Sequence, residues 1–206
     1  MIAIIDYGMG NLRSVEKALT YVGAEAVITQ DPAVLERAAG VILPGVGAFA
    51  QAMANLRAAG LIDPIHQALA SGKPFLGICL GLQLLFETSE ERFDDGPELP
   101  RGLGALRGRV RRFPDGLKVP QIGWNTLRFP KETRLFAGIE PGSHVYFVHS
   151  YYAEPADSSV TAAVTEYGIE YCSAVEVDNV MAVQFHPEKS SRVGLQILSN
   201  FAALCR

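Results

Sequence analysis

The segment FLGICLGLQLLF places Cys79 where an apolar run passes into a helical pattern. A nucleophile held on a sharp strand-to-helix turn needs small neighbours, because its side chain must project from a cramped backbone. Gly77 and Gly81 supply them, and a helix starting near Leu80 directs its positive end at the sulfur and favours the thiolate. A buried structural cysteine is the alternative, but it leaves the two glycines unexplained. The pattern favours a cysteine nucleophile.

A thiolate needs a base, and His186 has the strongest local signals for that role. It ends the apolar run VMAVQF and is followed by Pro187, which stiffens the turn, and by Glu188, which can orient the imidazole. If their strands run parallel, Cys79 and His186 both lie at carboxyl ends, where sites of open α/β sheets gather. The sequence therefore predicts a Cys, His, Glu triad.

The other three histidines fit the role of base less well. His66 lies within a helical pattern, where a solvated or packing role is expected, and His144 follows EPGS and is expected to be exposed. His149 ends the strand pattern VYFV. It stays open as an alternative base.

Acyl transfer also needs N–H donors for the developing oxyanion, and removing one donor costs roughly 3–4 kcal/mol. The N–H of Leu80 is one candidate, and the N–H of Val46 or Gly47 in LPGVGAF is the second. Gln83 lies one turn after Cys79 on the same side of the predicted helix. Its spacing fits contact with an amide substrate as well as it fits an ordinary polar helix residue.

Two glycine pairs, in DYGMGN and PGVGAF, suggest a dinucleotide site but do not complete the GxGxxG pattern. The third position holds Arg13 in one segment and Ala50 in the other, and neither is followed by a P-loop lysine. Alanine is sometimes tolerated there, so the second segment keeps phosphate binding as a minor alternative. We interpret both segments as tight strand-to-helix turns. The more specific hypothesis is that their backbone N–H groups face a binding site.

The elements that position these residues alternate through about residue 90. Apolar runs MIAII, EAVI, GVILP and PFLGI alternate with helical patterns at 11–23, 48–58, 63–71 and 80–88. After DDGPELPRGLG, a predicted loop at 94–104, the strand patterns are ALRGRVRRF, KVPQIGW, VYFVHSYY, SVTAAVTEY, EYCSAVEV and VMAVQF, and a helix SSRVGLQILSNFAALC follows. These patterns predict one α/β domain over 1–206 with a mixed sheet.

Composition bounds the partners and the compartment. A net charge of −4 and a pI near 5.6 argue against nucleic acid, and the run LRGRVRRF alternates like the solvated face of a strand. Three widely spaced cysteines without a metal-ligand pattern fit a reducing compartment. No apolar segment approaches the roughly 20 residues that span a bilayer, so we expect a cytoplasmic protein without membrane contact.

GICLGLQLL together with QFHPEKS resembles the class I glutamine amidotransferases, which hydrolyse glutamine through a cysteinyl thioester. IIDYGMGNLRSV, LPGVGAF, VPQIGWN and YFVHSYY are further similar to glutaminase subunits of imidazole glycerol phosphate synthases, from histidine biosynthesis. The similarity runs from Ile5 almost to Arg206, and the segment 91–103 is the least motif-like. It implies a three-layer, flavodoxin-like fold with a central mixed, largely parallel sheet.

The resemblance also implies roles by position. Cys79 becomes the nucleophile, His186 the base and acid, and Glu188 its orienting partner. The residues implied for the oxyanion and the substrate are Pro44, Gly45, Val46, Gly47, Leu80, Gln83, Ser150 and Tyr151. The residues implied to face a synthase partner are Asn11, Trp124, Tyr146 and Lys189.

The implied reaction is L-glutamine plus water giving L-glutamate and ammonia, without a metal or organic cofactor. The implied partner is a (β/α)8-barrel cyclase, joined as a heterodimer, that uses the ammonia to make imidazole glycerol phosphate and an aminoimidazole carboxamide ribotide. Ammonia in neutral water becomes mostly ammonium, so it needs a sheltered route to the acceptor. We expect low activity without the partner, with a peptide flip at 45–47 as the switch.

Two alternatives remain at this stage. A class I glutaminase that serves a different synthase would carry the same triad, and only DYGMGN, IGWN and surface residues argue against it. A catalytically silent assembly module is the second alternative, and the intact set of Cys79, His186 and Glu188 argues against it.

Overall fold

The computed structural model describes residues 1–92 and 98–205 of the chain. The segment 91–103 and the predicted loop 94–104 fall partly on residues 93–97, which lie outside the described residues.

The first half of the chain alternates strands and helices, as its apolar pattern predicts. Its strands are β1 Ile2–Ile5, β2 Ala26–Thr29, β3 Gly40–Gly45 and β4 Phe75–Cys79. Its helices are α1 Leu12–Tyr21, α2 Pro32–Arg37, α3 Phe49–Ala58, α4 Ile62–Ala70 and α5 Leu80–Leu84. Helix α2 is an element that the sequence interpretation missed, although Asp31 caps it and Pro32 begins it, which are ordinary start signals.

The second half is mostly strands. These are β5 Phe86–Ser89, β6 Leu106–Arg112, β7 Gln121–Thr126, β8 His144–His149, β9 Tyr151–Pro155, β10 Thr161–Glu166, β11 Glu170–Val177 and β12 Val180–Val183. Short 3₁₀ helices cover Ser158–Val160 and Pro187–Lys189, and helix α6 covers Ser191–Leu204.

Among the described residues, ten strands form one mixed sheet. Nine follow the order β2-β1-β3-β4-β12-β11-β9-β6-β5, and β10 pairs with β11. Strands β1 to β4 and β12 are parallel, and the order turns antiparallel at β11. Strands β7 and β8 form a separate antiparallel pair. The predicted mixed sheet is confirmed.

Helices cover both faces of the central sheet, so its strands are apolar on both sides. In β3, Val41 and Leu43 pack into one hydrophobic layer with α3 and α4, while Ile42 packs into the other. That second layer includes Phe201 of α6 and Leu19 of α1. Strands buried on both faces read as continuous apolar runs, which is why GVIL carries no alternation. The predicted three-layer α/β architecture is confirmed.

The helix predicted over 80–88 is too long. Helix α5 ends at Leu84, and the chain continues as β5, where Phe86 and Ser89 are buried and Glu87 is exposed. Pairing of β5 with β6 outweighs the local helical pattern, because the strand buries Phe86 against the sheet.

The single strand predicted for VYFVHSYY is also wrong, since the chain there forms β8 and β9 in two different sheets. Strand β8 pairs with β7, whereas β9 pairs with β6 and β11. The chain leaves one sheet and joins the other at Ser150. Both sheets therefore meet beside Ser150 and Tyr151.

Strand β6 has the solvated face that its alternating arginines predict. Leu106 and Val110 are buried, whereas Arg109 and Arg111 are not and form ion pairs with Glu154. Among the described residues, no helix is both long enough and apolar enough to cross a membrane.

Candidate active site

Cys79 lies at the junction of β4 and α5 with a left-handed backbone, φ 55° and ψ −108°. A non-glycine residue in this region carries strain of roughly 1–3 kcal/mol, so the surrounding packing must hold it there. Such a turn directs the side chain away from the strand that precedes it. The Cys79 side chain accordingly lines a cavity of about 250 Å³.

Glycines allow this turn to pack against the neighbouring strand. A Cβ on Gly81 would lie 1.8 Å from the backbone oxygen of Leu43, and one on Gly77 would lie 2.8 Å from the backbone oxygen of Gly81. Neither position has room for a larger residue. The two glycines are thus required by close approach of backbone to backbone.

His186 and Glu188 form a buried pair three to five residues beyond the end of β12. Nδ1 of His186 lies 2.9 Å from Oε1 of Glu188, and the two side chains are 2% and 1% exposed. The backbone N–H of His186 donates to the carbonyl of Tyr146, and its carbonyl accepts from the hydroxyl of Ser190. These contacts fix the ring at the carboxyl edge of the sheet.

The surroundings of His186 favour the protonated form of its imidazole. Burial alone would lower the pKa of His186, but the Cys79 sulfur and the Glu188 carboxylate outweigh burial and raise the pKa to about 10. Within the described residues Nε2 of His186 makes no hydrogen bond, and the Cys79 sulfur is among the groups that raise the pKa of the ring. That nitrogen remains available for a ligand.

Strands β4 and β12 are parallel neighbours, with Ile78 opposite Val183, so the condition for Cys79 and His186 to share one edge of the sheet is met. This pairing brings Cys79 and His186 to the same cavity. The sulfur has two further polar neighbours: Nε2 of Gln184 at 3.7 Å and the carbonyl oxygen of Val148 at 4.0 Å.

The cavity is also lined by most of the residues predicted for the substrate and the oxyanion. Those are Val46, Gly47, Leu80, Gln83, Ser150 and Tyr151. Pro44 and Gly45 are the exceptions, because both are buried at the end of β3, and a Cβ on Gly45 would lie 2.4 Å from the hydroxyl oxygen of Tyr7. Val46 is exposed, and Gly47 has a φ of 108°, so the chain turns sharply there.

Gln83 makes two hydrogen bonds through its amide nitrogen. Nε2 donates to the carbonyl of Tyr151 and to Oε1 of Gln184, each at 3.0 Å. Both amide protons are used in this way. A ligand in the cavity would therefore meet Gln83 through its carbonyl oxygen, as an acceptor.

His149 has both ring nitrogens engaged. Nδ1 contacts the carbonyl of Tyr151 at 2.8 Å, and Nε2 lies 3.1 Å from Oε1 of Gln121 and 3.2 Å from the Tyr171 hydroxyl. Burial lowers the pKa of His149 to about 4, against the opposing effect of the Tyr151 carbonyl. A neutral ring with both nitrogens in use suits a support for the Tyr151 backbone better than a base.

Two polar residues of the site were missed by the sequence interpretation. Glu91 lines the cavity, and its Oε2 accepts a 2.8 Å hydrogen bond from the backbone N–H of Phe49. Burial raises the pKa of Glu91, against the effect of that hydrogen bond. Glu91 lies in the segment without motif signals, whereas the signal for Gln184 was a polar residue within the apolar run VMAVQF.

The four residues predicted to face a partner lie around one side of the site. Trp124 on β7 is 50% exposed and packs edge-on against Tyr146 of β8, with ring centroids 6.0 Å apart. Lys189 is exposed on the 3₁₀ helix after His186, and this helix contacts both β8 and α1, which Asn11 precedes. Among the described residues, no cluster of His, Cys, Asp or Glu could hold a metal ion.

Comparison with known proteins identifies relatives over nearly the whole chain. Residues 3–205 match the family model for glutamine amidotransferase class-I. The protein named imidazole glycerol phosphate synthase subunit HisH from Moorella thermoacetica is 55% identical over 205 residues, covering 100% of this chain and 95% of that protein. The protein of the same name from Aquifex aeolicus is 53% identical over 199 residues, covering 96% and 94%.

Solved structures share the fold at lower identity. A structure described as glutamine amidotransferase superposes with a TM-score of 0.75 at 23% identity, covering 100% of this chain and 99% of the other. The structure of PurLQS from Thermotoga maritima gives a TM-score of 0.75 at 19% identity, covering 100% and 98%. At these identities the similarity concerns the fold alone.

His149 makes stability depend on pH in a defined window. Its folded pKa of about 4 lies below the ordinary 6.5, so between these values the unfolded chain binds a proton that the folded chain does not. Stability falls as pH drops through this window, by about 3 kcal/mol for this group. We expect His149→Gln to lose less stability than the unmodified chain between pH 6.5 and 4, as measured by urea unfolding. His144→Gln, at an exposed position on β8, is the control, and parallel curves for His149→Gln and the unmodified chain would contradict the assignment.

Proposed function

Since the chain belongs to the class I glutamine amidotransferase family, we propose that it hydrolyses L-glutamine to L-glutamate and ammonia, with Cys79, His186 and Glu188 as its catalytic triad. One observation carries this proposal. The sulfur of a strained cysteine faces the same cavity as a buried imidazole whose other nitrogen is held by a carboxylate. This arrangement supplies a nucleophile, a proton carrier and the group that orients it.

The first half-reaction forms the thioester. The Cys79 thiolate attacks the carboxamide carbon, and the carbonyl oxygen becomes an oxyanion. As the C–N bond breaks, Nε2 of His186 gives its proton to the leaving ammonia. Glu188 keeps the ring aligned by accepting from Nδ1–H at 2.9 Å. In the second half-reaction Nε2 takes a proton from water, the resulting hydroxide attacks the thioester, and sulfur leaves as thiolate.

The oxyanion is stabilised by backbone N–H groups on two segments. Leu80 is the first residue of α5 and contributes one N–H from the elbow. Val46 and Gly47 lie just beyond β3, whose Gly45 pairs with Cys79, and one of their N–H groups is the second donor. The exposure of Val46 and the φ of 108° at Gly47 suit a peptide that can turn its N–H towards or away from the cavity. Partner binding selects the donating orientation.

The amino-acid part of glutamine is held at the other end of the cavity. The carboxylate of Glu91 and the carbonyl oxygen of Gln83 both accept hydrogen bonds, so they suit the α-ammonium group of the substrate. The backbone of Ser150 and Tyr151 borders the same end, and the Tyr151 carbonyl is fixed by Gln83 and His149.

The ammonia passes to a (β/α)8-barrel cyclase, and the two subunits together make imidazole glycerol phosphate in histidine biosynthesis. The name of the relatives, a synthase subunit, supports such a partner. The contact surface, which we call the docking face, consists of Asn11, Ile122, Trp124, Tyr146 and Lys189. Ile122 and Trp124 are large apolar side chains, 63% and 50% exposed, on one side of β7. Large exposed apolar residues next to a site are typical of protein interfaces.

The docking face is directly linked to the catalytic groups. The carbonyl of Tyr146 accepts from the N–H of His186, and Val148, on the same strand, lines the cavity. A partner that binds against β8 can therefore influence the position of His186.

The protein works in the cytoplasm, where its free, buried cysteines, Cys172 and Cys205, stay reduced.

We expect Cys79→Ala to reduce glutamate release by at least about 1,000-fold, because no other group can form the thioester. Release is measured for the full chain alone and with the barrel partner and its ligand, and the complex should be faster. Cys172→Ala is the matched control, since burial raises the pKa of Cys172 to about 11. Activity retained in Cys79→Ala would overturn the triad, and equal rates with and without the partner would overturn the switch.

We expect Trp124→Ala to weaken binding of the barrel partner by about 30-fold, because a large aromatic at the centre of an interface contributes about 2 kcal/mol. Titration calorimetry measures the affinity. Tyr21→Ala is the control, since Tyr21 is 78% exposed at the far end of α1 from Asn11. If the two variants bind the partner equally well, the docking face lies elsewhere.

A further inference from the structure

We infer that Gln184 is a further catalytic residue, whose side-chain N–H stabilises the Cys79 thiolate. The inference rests on the proposed function, since it concerns the same nucleophile.

Gln184 is a fully buried polar residue in an apolar environment. It follows Val183, the last residue of β12, and its side chain is sealed from solvent at 0% exposure. Its backbone N–H donates to the carbonyl of Ser173 at 2.9 Å, so its main chain continues the pairing with β11. A buried carboxamide is costly unless its polar atoms are satisfied. The partners of those atoms therefore indicate what the side chain does.

The hydrogen-bond network fixes which Gln184 atom faces the sulfur. A backbone carbonyl can only accept, so the Gln83 atom 3.0 Å from the Tyr151 oxygen must be the amide nitrogen. The same nitrogen lies 3.0 Å from the Gln184 amide, which must therefore present its oxygen. The remaining Gln184 atom, the nitrogen Nε2, then points at the Cys79 sulfur at 3.7 Å. The Tyr151 carbonyl thus fixes the orientation of the Gln83 amide, which in turn fixes that of the Gln184 amide. Neither amide orientation has to be assumed.

The Cys79 sulfur thus has one hydrogen-bond partner for each of its protonation states. As a thiol it donates to the carbonyl of Val148 at 4.0 Å, and as a thiolate it accepts from Nε2 of Gln184. Water has little access there, because Cys79 is 6% exposed. The amide N–H takes the place of a hydrating water, and a hydrogen bond to a charged acceptor is stronger than one to a neutral acceptor.

The amide acts at the two steps in which sulfur carries charge. It stabilises the thiolate before attack on the carboxamide carbon. It stabilises the thiolate again when the C–S bond of the thioester breaks and the electron pair returns to sulfur. Gln184 does not exchange a proton, so its N–H is available to the sulfur at both of these steps, whichever protonation state His186 has.

Gln83 positions the Gln184 side chain through the hydrogen bond between their amides, and Gln83 itself lines the cavity. Without the Gln83 donor, the Gln184 amide is free to turn and present its oxygen to the sulfur. Gln184 is therefore the group that contacts the reacting atom, whereas Gln83 acts on the sulfur only through it.

The test is the pH dependence of Cys79 alkylation by iodoacetamide in the full chain, followed on the Cys79 peptide by mass spectrometry. The thiolate is the reactive form, so the pH of half-maximal rate reports how well the site stabilises it. We expect Gln184→Met, which has no hydrogen-bond donor at this position, to raise this midpoint by about one pH unit. Below the midpoint, labelling should then be about tenfold slower. Gln184→Glu should raise it further, because a carboxylate repels the thiolate.

Asn179→Asp is the matched control. Asn179 precedes β12 at its opposite end, and its side-chain nitrogen donates to the carbonyls of Leu69 and Lys73. Loss of these bonds should lower stability and leave the alkylation midpoint in place. An unchanged midpoint in both Gln184 variants, with folding retained by circular dichroism, would overturn the inference.

Gln83→Leu keeps the test decisive if the Gln184 variants do not fold. It should raise the midpoint in the same direction but by less, and no shift would overturn the inference. Glutamate release by the unmodified chain is measured in parallel. If the unmodified chain releases glutamate but the variants show no midpoint shift, only the role of Gln184 is refuted. If the unmodified chain releases no glutamate even in the partner complex, the proposed function itself is refuted.

Discussion

The site depends on the backbone of Cys79, which is held at φ 55° between β4 and α5. The conformation costs free energy, so it persists because the neighbouring strands leave no alternative. Gly81 lies against the carbonyl of Leu43 in β3, and β4 pairs with β12, which leads to His186. Parallel pairing thus brings Cys79 and His186, the proposed nucleophile and base, to the same edge of the sheet. The chemistry follows from how three strands are joined.

A second structural feature is the meeting of two sheets at Ser150. The chain leaves β8 and enters β9 there, and the carbonyl of Tyr151 accepts from Gln83 and contacts Nδ1 of His149. The Tyr146 carbonyl on β8 accepts from His186. One short crossing therefore connects the exposed β7–β8 pair with the cavity and with the His186 ring. Such a connection fits the proposed control of glutamine hydrolysis by a docked partner.

Local signals in the sequence were enough to predict that Cys79 and His186 lie at one cavity. Glycines beside Cys79 and the His-Pro-Glu run act within two or three residues, and parallel strands bring their ends together without further information. The Gln184 contact with the sulfur joins residues 105 positions apart, and no local pattern encodes it. The prediction of a helix over 80–88 was wrong for a related reason, because Phe86–Ser89 pairs with β6 as a strand. Tertiary pairing decides such cases.

The most direct test of the account is covalent labelling of the full chain with a diazo-ketone analogue of glutamine, with the adduct mapped by peptide mass spectrometry. We expect one adduct, on Cys79, that excess glutamine prevents. Cys172 and Cys205 should stay unmodified, since burial raises the pKa of their thiols to about 11 and about 12. Absence of an adduct at Cys79 under conditions that support glutamate release, or labelling that glutamine does not prevent, would contradict the role of Cys79 as the nucleophile.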